Sequence, residues 1–250
     1  MDTSSVPSQT AHSARSTVVA SAWFMAVVGV TLSISCGARA TSVEYESDGP
    51  HTFTDTERAT IERIAETTAR EVKVLLPGLP AVIAISVRAG EDVIPETGET
   101  ASVYPPNRVS WVVDPAREGG IAATATRELR GTLFHELHHL VRGTALAGTS
   151  LLDRAVTEGM ATAFERDFAG MDPPWGSYED GIATWATEFL ALPADASHED
   201  WMVQHPDGRR WIGFRVGTYL VDRATAASGR RSADLVMAPT SEVLELASKP

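Results

Sequence analysis

The 250-residue chain sets 21 Lys and Arg against 33 Asp and Glu, for a formal charge of −12, and is 43% hydrophobic and 22% charged. That balance belongs to a globular protein and excludes a chain that is disordered, collagenous or coiled-coil throughout. So acidic a chain also lacks the clustered cations that nucleic-acid phosphates or an anionic membrane surface would need. Its single cysteine, Cys36, permits neither an intrachain disulfide nor a thiolate zinc site.

The first segment reads as an export signal over residues 1–40. Arg15 precedes an uncharged run from Ser16 to Ala38 whose centre, Val18 to Val30, is mostly apolar. Three fates are open to it. Leu32-Ser33-Ile34-Ser35-Cys36 resembles a lipobox, which would make Cys36 a lipid anchor. Ala38-Arg39-Ala40 fits a signal-peptidase site. The run is also just long enough to span a bilayer uncleaved. All three place the remainder outside the cytoplasm, in the cell envelope or secreted.

Residues 41–53 are polar and read as a linker, with one domain expected over 54–250. Thr54-Asp55-Thr56-Glu57 is a capping box, and Ile61, Ile64, Ala65, Ala69, Val72 and Leu75 follow at helical spacing until Pro77-Gly78. Ala81–Ala89 alternates as a strand. Ala101–Tyr104 and Val109–Val113 predict a hairpin turning at Pro105-Pro106-Asn107. Helices are expected over 124–142, 151–169 (with Ser150 as N-cap and Asp153 three residues on), 182–190, 211–227 and 241–247. Together they predict an α+β fold: a small N-terminal sheet with one helix, a helix pair, and a helical C-terminal half.

Chemistry concentrates in His135-Glu136-Leu137-His138-His139. Residues i and i+4 of a helix share a face, so His135 and His139 can turn to one ion, while Leu133, Leu137, Leu140 and Val141 supply a buried back. Gly143 is expected to end the helix. A catalytic zinc takes three protein ligands and keeps one position open. The metzincin continuation is absent, because Arg142 and Ala145 stand at its Gly and third-His places. Glu158, in Thr157-Glu158-Gly159, lies 19 residues after His139 on the next helix, and an antiparallel return would bring it beside the histidines. Gly159 would let that helix pack closely. Glu165, two turns on, is either a partner for a histidine N–H or a surface charge. Asp153 is read as a cap, and His138 as a hydrogen-bonding neighbour.

His135–His139 followed by Glu158 resembles the gluzincin pattern of thermolysin-like peptidases and related aminopeptidases. More narrowly, the chain resembles a bacterial family of predicted Zn-dependent proteases described as a domain of unknown function. The resemblance lies in His135–His139, in Ala155–Ala161, in Pro173-Pro174-Trp175 and in Trp211–Gly217, and covers roughly 55–248. It departs from the thermolysin pattern around the third ligand, where Thr162 stands four residues after Glu158, and lacks the aminopeptidase G-x-M-E-N signature. The resemblance implies a zincin-like α+β fold and peptide hydrolysis, with Zn²⁺ on His135, His139 and Glu158, Glu136 as the catalytic carboxylate, and a peptide or protein as substrate.

On that reading Glu136 accepts a proton from water and delivers it to the leaving amine. Tyr219, His205 and Arg215 are the candidates to stabilise the oxyanion. Val109–Val113 is expected to be the edge strand that receives the peptide, with Trp111 facing either substrate or core. Two other functions fit the same residues: a metal- or partner-binding envelope protein without turnover, and a hydrolase of non-peptide amides or esters. Trp175, Trp185, Trp201 and Trp211 invite a carbohydrate-site or aromatic-cage reading, but helical core packing is their expected role. Gly213 and Gly217 are expected to serve close helix packing.

Overall fold

The computed structural model describes residues 40–46 and 51–249. The export-signal reading, with Cys36 and the uncharged run, lies outside them. Among the described residues, no helix is long and apolar enough to cross a membrane.

The observed architecture is α+β. Strand β1 (Thr41–Tyr45) is followed by helix α1 (Asp55–Leu75), then β2 (Ile83–Ala89), β3 (Glu99–Tyr104) and β4 (Arg108–Val113). The sheet order is β1-β2-β4-β3; β1 and β4 both run parallel to β2, and β3 closes an antiparallel hairpin on β4. Helix α1 starts at the expected capping box: the Glu57 amide donates to Thr54 Oγ1 at 3.3 Å, and the Thr54 amide to Glu57 Oε2 at 2.7 Å. Its stripe of Ile61, Ile64, Ala65, Ala69 and Val72 packs with Ile83, Ile85 and Val87 of β2 in one core.

Two expectations are corrected here. Thr41–Tyr45 is not linker but the strand beside β2. It is short and polar because an edge strand needs only one apolar face, and Val43 and Tyr45 supply it against the core. Val109–Val113 is an interior strand, since β2 and β3 flank it, and the edge on that side is β3. Val109, Trp111 and Val113 are buried on one face and Val112 on the other, the mark of a strand covered on both sides. Trp111 is accordingly fully buried core.

The second half is helical. Helix α2 (Gly120–Thr124) passes through a π-helical turn (Ala125–Leu129) into α3 (Arg130–Ala147), so this rod begins four residues before the expected start. Its regular geometry breaks at Gly143, at φ 67° and ψ 169°, where the sequence places the helix end. After it come α4 (Leu151–Phe164) with a π-helical turn at Glu165–Ala169, α5 (Ile182–Leu190), α6 (Ile212–Ser228) and α7 (Thr240–Ala247). Ser150 and Asp153 form the α4 capping box. Two short turns, Glu199–Val203 and Ser232–Leu235, have no counterpart in the sequence reading, being too brief to show a period.

Helices α4 and α6 meet backbone to backbone. A Cβ on Gly159 would lie 2.1 Å from the Gly217 carbonyl carbon, and one on Gly217 would lie 1.8 Å from the Ala155 oxygen. No side chain larger than hydrogen fits at either position. Gly213 is likewise closed by Met202, whose sulfur lies 2.0 Å from the place of a Cβ.

Candidate metal centre

Helices α3 and α4 face each other across the floor of a cavity of about 720 Å³. Leu133, Leu137 and Leu140 fix the other side of α3 in the sheet core. That anchoring turns His135, Glu136 and His139 toward α4 and the cavity. On α4, Val156 and Met160 pack into the helical core, and Glu158 points the opposite way.

The three predicted ligands converge. Glu158 Oε2 lies 3.1 Å from His135 Nε2 and 3.3 Å from His139 Nε2. One ligand atom from each residue falls within 4.8 Å of the other two. Two atoms each about 2.1 Å from a tetrahedral zinc stand about 3.4 Å apart. The two carboxylate–imidazole spacings suit a single cation of that size, and two imidazoles with one carboxylate are a donor set that zinc favours.

The same packing decides the charge states. Burial alone would depress the His135 ring, but the Glu158 carboxylate, which accepts from Nε2, and the Glu165 carboxylate beside Nδ1 raise it well above the ordinary imidazole value. Burial would raise Glu158, yet the His139 and His135 rings hold it well below the usual carboxylate range. Glu136, 8% exposed, is pushed up by burial against the opposing pull of the two rings. A carboxylate with raised proton affinity beside a cavity is suited to accept a proton.

Glu165 is not a surface charge: it is 4% exposed, and its Oε2 lies 3.4 Å from His135 Nδ1. His138 departs from expectation. It is fully buried, and neither ring nitrogen has a hydrogen-bond partner among the described residues. Burial first, then the neighbouring His139, His135 and Arg142 charges, hold it well below the imidazole value, so it packs as a neutral ring 5.5 Å from Phe164. Asp153 serves the helix cap, its carboxylate accepting the Ser150 amide at 3.3 Å.

None of the three oxyanion candidates lines the cavity. Tyr219 packs against Tyr178 at 5.6 Å in the helical core. His205 Nδ1 pairs with Asp207 at 2.8 Å. Arg215 donates to the Pro174 carbonyl at 3.1 Å. Each was a polar side chain in the helical half, and chain position alone could not say which way it pointed.

Three more features line the cavity: Glu99 and Arg142 carry no clear sequence signal, and Trp175 and Trp211, expected in the helical core, stand in its wall with Phe214. Glu99, at the start of β3, is only 2% exposed and accepts the Trp111 indole N–H at 2.7 Å. Burial raises it to about 7. In the polar run Thr97-Gly98-Glu99-Thr100 it reads as surface; only its pairing with a buried indole marks it. Arg142 is buried and donates to Thr157 Oγ1 and to the carbonyls of Val236, Ala238 and Leu146, tying α3 to the C-terminal segment. Trp175, Trp211 and Phe214 form an aromatic wall, with ring centroids 5.6 to 6.3 Å apart. Trp211 holds it from a left-handed backbone, φ 58°, which a bulky residue seldom adopts. Trp185 and Trp201 pack against the helical core, as expected.

A family model described as Predicted Zn-dependent protease (DUF2268) matches residues 58–245. No curated protein and no solved structure matches the chain.

Proposed function

The chain belongs to this family of predicted Zn-dependent proteases, and from that membership and the three converging ligand atoms we propose that it hydrolyses peptide bonds with a zinc held by His135, His139 and Glu158. The observation that carries the reading is one carboxylate oxygen set between two imidazole nitrogens, at 3.1 and 3.3 Å. When bound, zinc lowers the pKa of water and polarises a carbonyl oxygen.

The chain's own groups supply the rest. Glu136 adjoins His135 in sequence, lines the cavity and has its proton affinity raised by burial. It takes the proton from the attacking water and returns it to the leaving amine nitrogen as the C–N bond breaks. Its presence weighs against a metal-binding module without turnover, which needs no base beside the ion.

The substrate is a peptide or protein segment. Strand β3, rather than β4, is placed to receive it: β3 is the sheet edge, and Ala101, Ser102 and Val103 line the cavity. An extended peptide pairing there would lie beside the ligand helix. The uncharged run of residues 16–38 supports a place of action in the cell envelope or outside the cell, with Cys36 as a lipid attachment point if the lipobox is used.

Digestion of a denatured protein mixture tests the activity. The full chain should cleave it, a chelator should stop cleavage, and added zinc should restore it. Glu136→Gln should keep the zinc and lose turnover by about 10²-fold or more. Unchanged turnover in that variant would remove Glu136 from the mechanism.

A further inference from the structure

The His135 ring is held at both of its nitrogens by the same helix. Glu158 meets Nε2 at 3.1 Å, and Glu165 meets Nδ1 at 3.4 Å from two turns further along the chain. Glu165 Oε2 and His135 Nδ1 are both buried, and neither has a hydrogen-bond partner among the described residues; their mutual 3.4 Å approach is an ion-pair contact. Two buried polar atoms facing each other at that distance are not accidental surface neighbours, because a hydrogen bond from His135 Nδ1–H to Glu165 Oε2 is what would relieve the cost of burying both.

The carboxylate reaches this place only because the residue one turn before His135 is Gly131. A Cβ there would come 2.6 Å from Glu165 Oε1 and 2.9 Å from Met171 Cγ. The approach is also fixed from behind. Glu165 opens the π-helical turn Glu165–Ala169, and Arg130, next to Gly131, donates to the carbonyls of Phe168 and Ala169 at 3.3 and 3.4 Å.

We propose that Glu165, admitted by Gly131, is the positioning residue that sets the His135 ring, holding a proton on Nδ1 and leaving Nε2 for the metal. The proposal rests on the reading of His135, His139 and Glu158 as the zinc ligands. Glu165 touches neither substrate nor metal in this role; it acts through His135.

The test compares zinc affinity, by competition with a chromophoric chelator, in the full chain and in Glu165→Leu, Glu165→Gln and Gly131→Ala. Circular dichroism of the metal-free forms serves as the check on folding. Glu165→Leu should weaken zinc binding by about 10- to 100-fold. Gly131→Ala should do much the same, since its methyl displaces the carboxylate, the movable end of a side chain. Glu165→Gln, which keeps an acceptor but not the charge, should fall between these and wild type. Folded Glu165→Leu and Gly131→Ala proteins that bind zinc as tightly as wild type would overturn the proposal.

A second readout needs no metal. Nitrogen-15 NMR of the metal-free chain should show a solvent-protected Nδ1–H on His135 that is lost in Glu165→Leu; an unaltered signal would overturn the proposal. A wild-type chain that binds no zinc would refute the ligand assignment, and the ring proton would still decide whether Glu165 holds His135.

Discussion

The two halves of the molecule pack by different means, and the candidate centre sits on their seam. The sheet half is filled by large side chains: Trp111, Phe134, Ile61, Ile85 and Leu137 are all fully or nearly fully buried there. The helical half is drawn together where side chains are missing, with Gly159 and Gly217 bringing α4 and α6 into backbone contact. His135 and His139 stand on a helix anchored in the first core, and Glu158 on one anchored in the second. The proposed ligand set is therefore only as well aligned as the two cores are with each other. Side-chain packing tolerates small adjustments, whereas a backbone contact does not.

Enlarging a glycine on each side is the strongest way to break this contrast. Gly159→Ala should cost about 4 kcal/mol or more, because its Cβ would lie 2.1 Å from the Gly217 backbone. It should also carry Glu158 away from the histidines. Gly78→Ala in the sheet half meets only a Val141 methyl, at 3.3 Å, and should cost about 1 kcal/mol or less. Urea unfolding of both variants gives the comparison, and equal losses would erase it.

Glu99 sharpens it next. Its carboxyl titrates at about 7 in the folded chain against an ordinary 4.5, chiefly through burial. The folded state thus keeps a proton that the unfolded state has released. The stability that Glu99 contributes is fully present below pH 4.5 and lost as pH rises through about 7. By pH 8 the loss is on the order of 3 kcal/mol. Glu99→Gln should therefore gain stability over wild type as pH rises from 5 to 8, read as a growing difference in melting temperature. A difference that stays flat with pH would show that Glu99 does not titrate in that window.

The smallest expected effect lies in the helical half. Tyr219→Phe and His205→Ala remove hydroxyl and imidazole groups that do not line the cavity, so peptide turnover should stay within about twofold of wild type. A tenfold fall in either would return that residue to the site.

What the sequence discloses follows the same division. Helix periods, capping boxes and the His135–His139 spacing are local, and α1, α4, α5, α6 and α7 appear within a residue or so of their expected starts. Glu158 is legible because its helix is otherwise apolar on the faces that pack, so the carboxylate must turn elsewhere. Strand order is not local: nothing in Val109–Val113 says that β3 rather than β4 ends the sheet. Nor does the short polar run Thr41–Tyr45 announce a strand until β2 is there to pair with it. Glu165 and His138 show the same limit within one site. The helical face predicts which residues gather, but only three-dimensional packing leaves one as a partner for His135 and the other as a buried neutral ring.

The central claim is that one cation is held by two imidazoles of α3 and one carboxylate of α4. Zinc-edge X-ray absorption on the purified chain, with metal content measured beside it, tests this most directly. The account predicts one zinc per chain with two nitrogen ligands and at least one carboxylate oxygen, lost in His135→Ala and weakened sharply in Glu158→Gln. Zinc bound equally well after both substitutions, or no zinc bound by the folded wild-type chain, would contradict it.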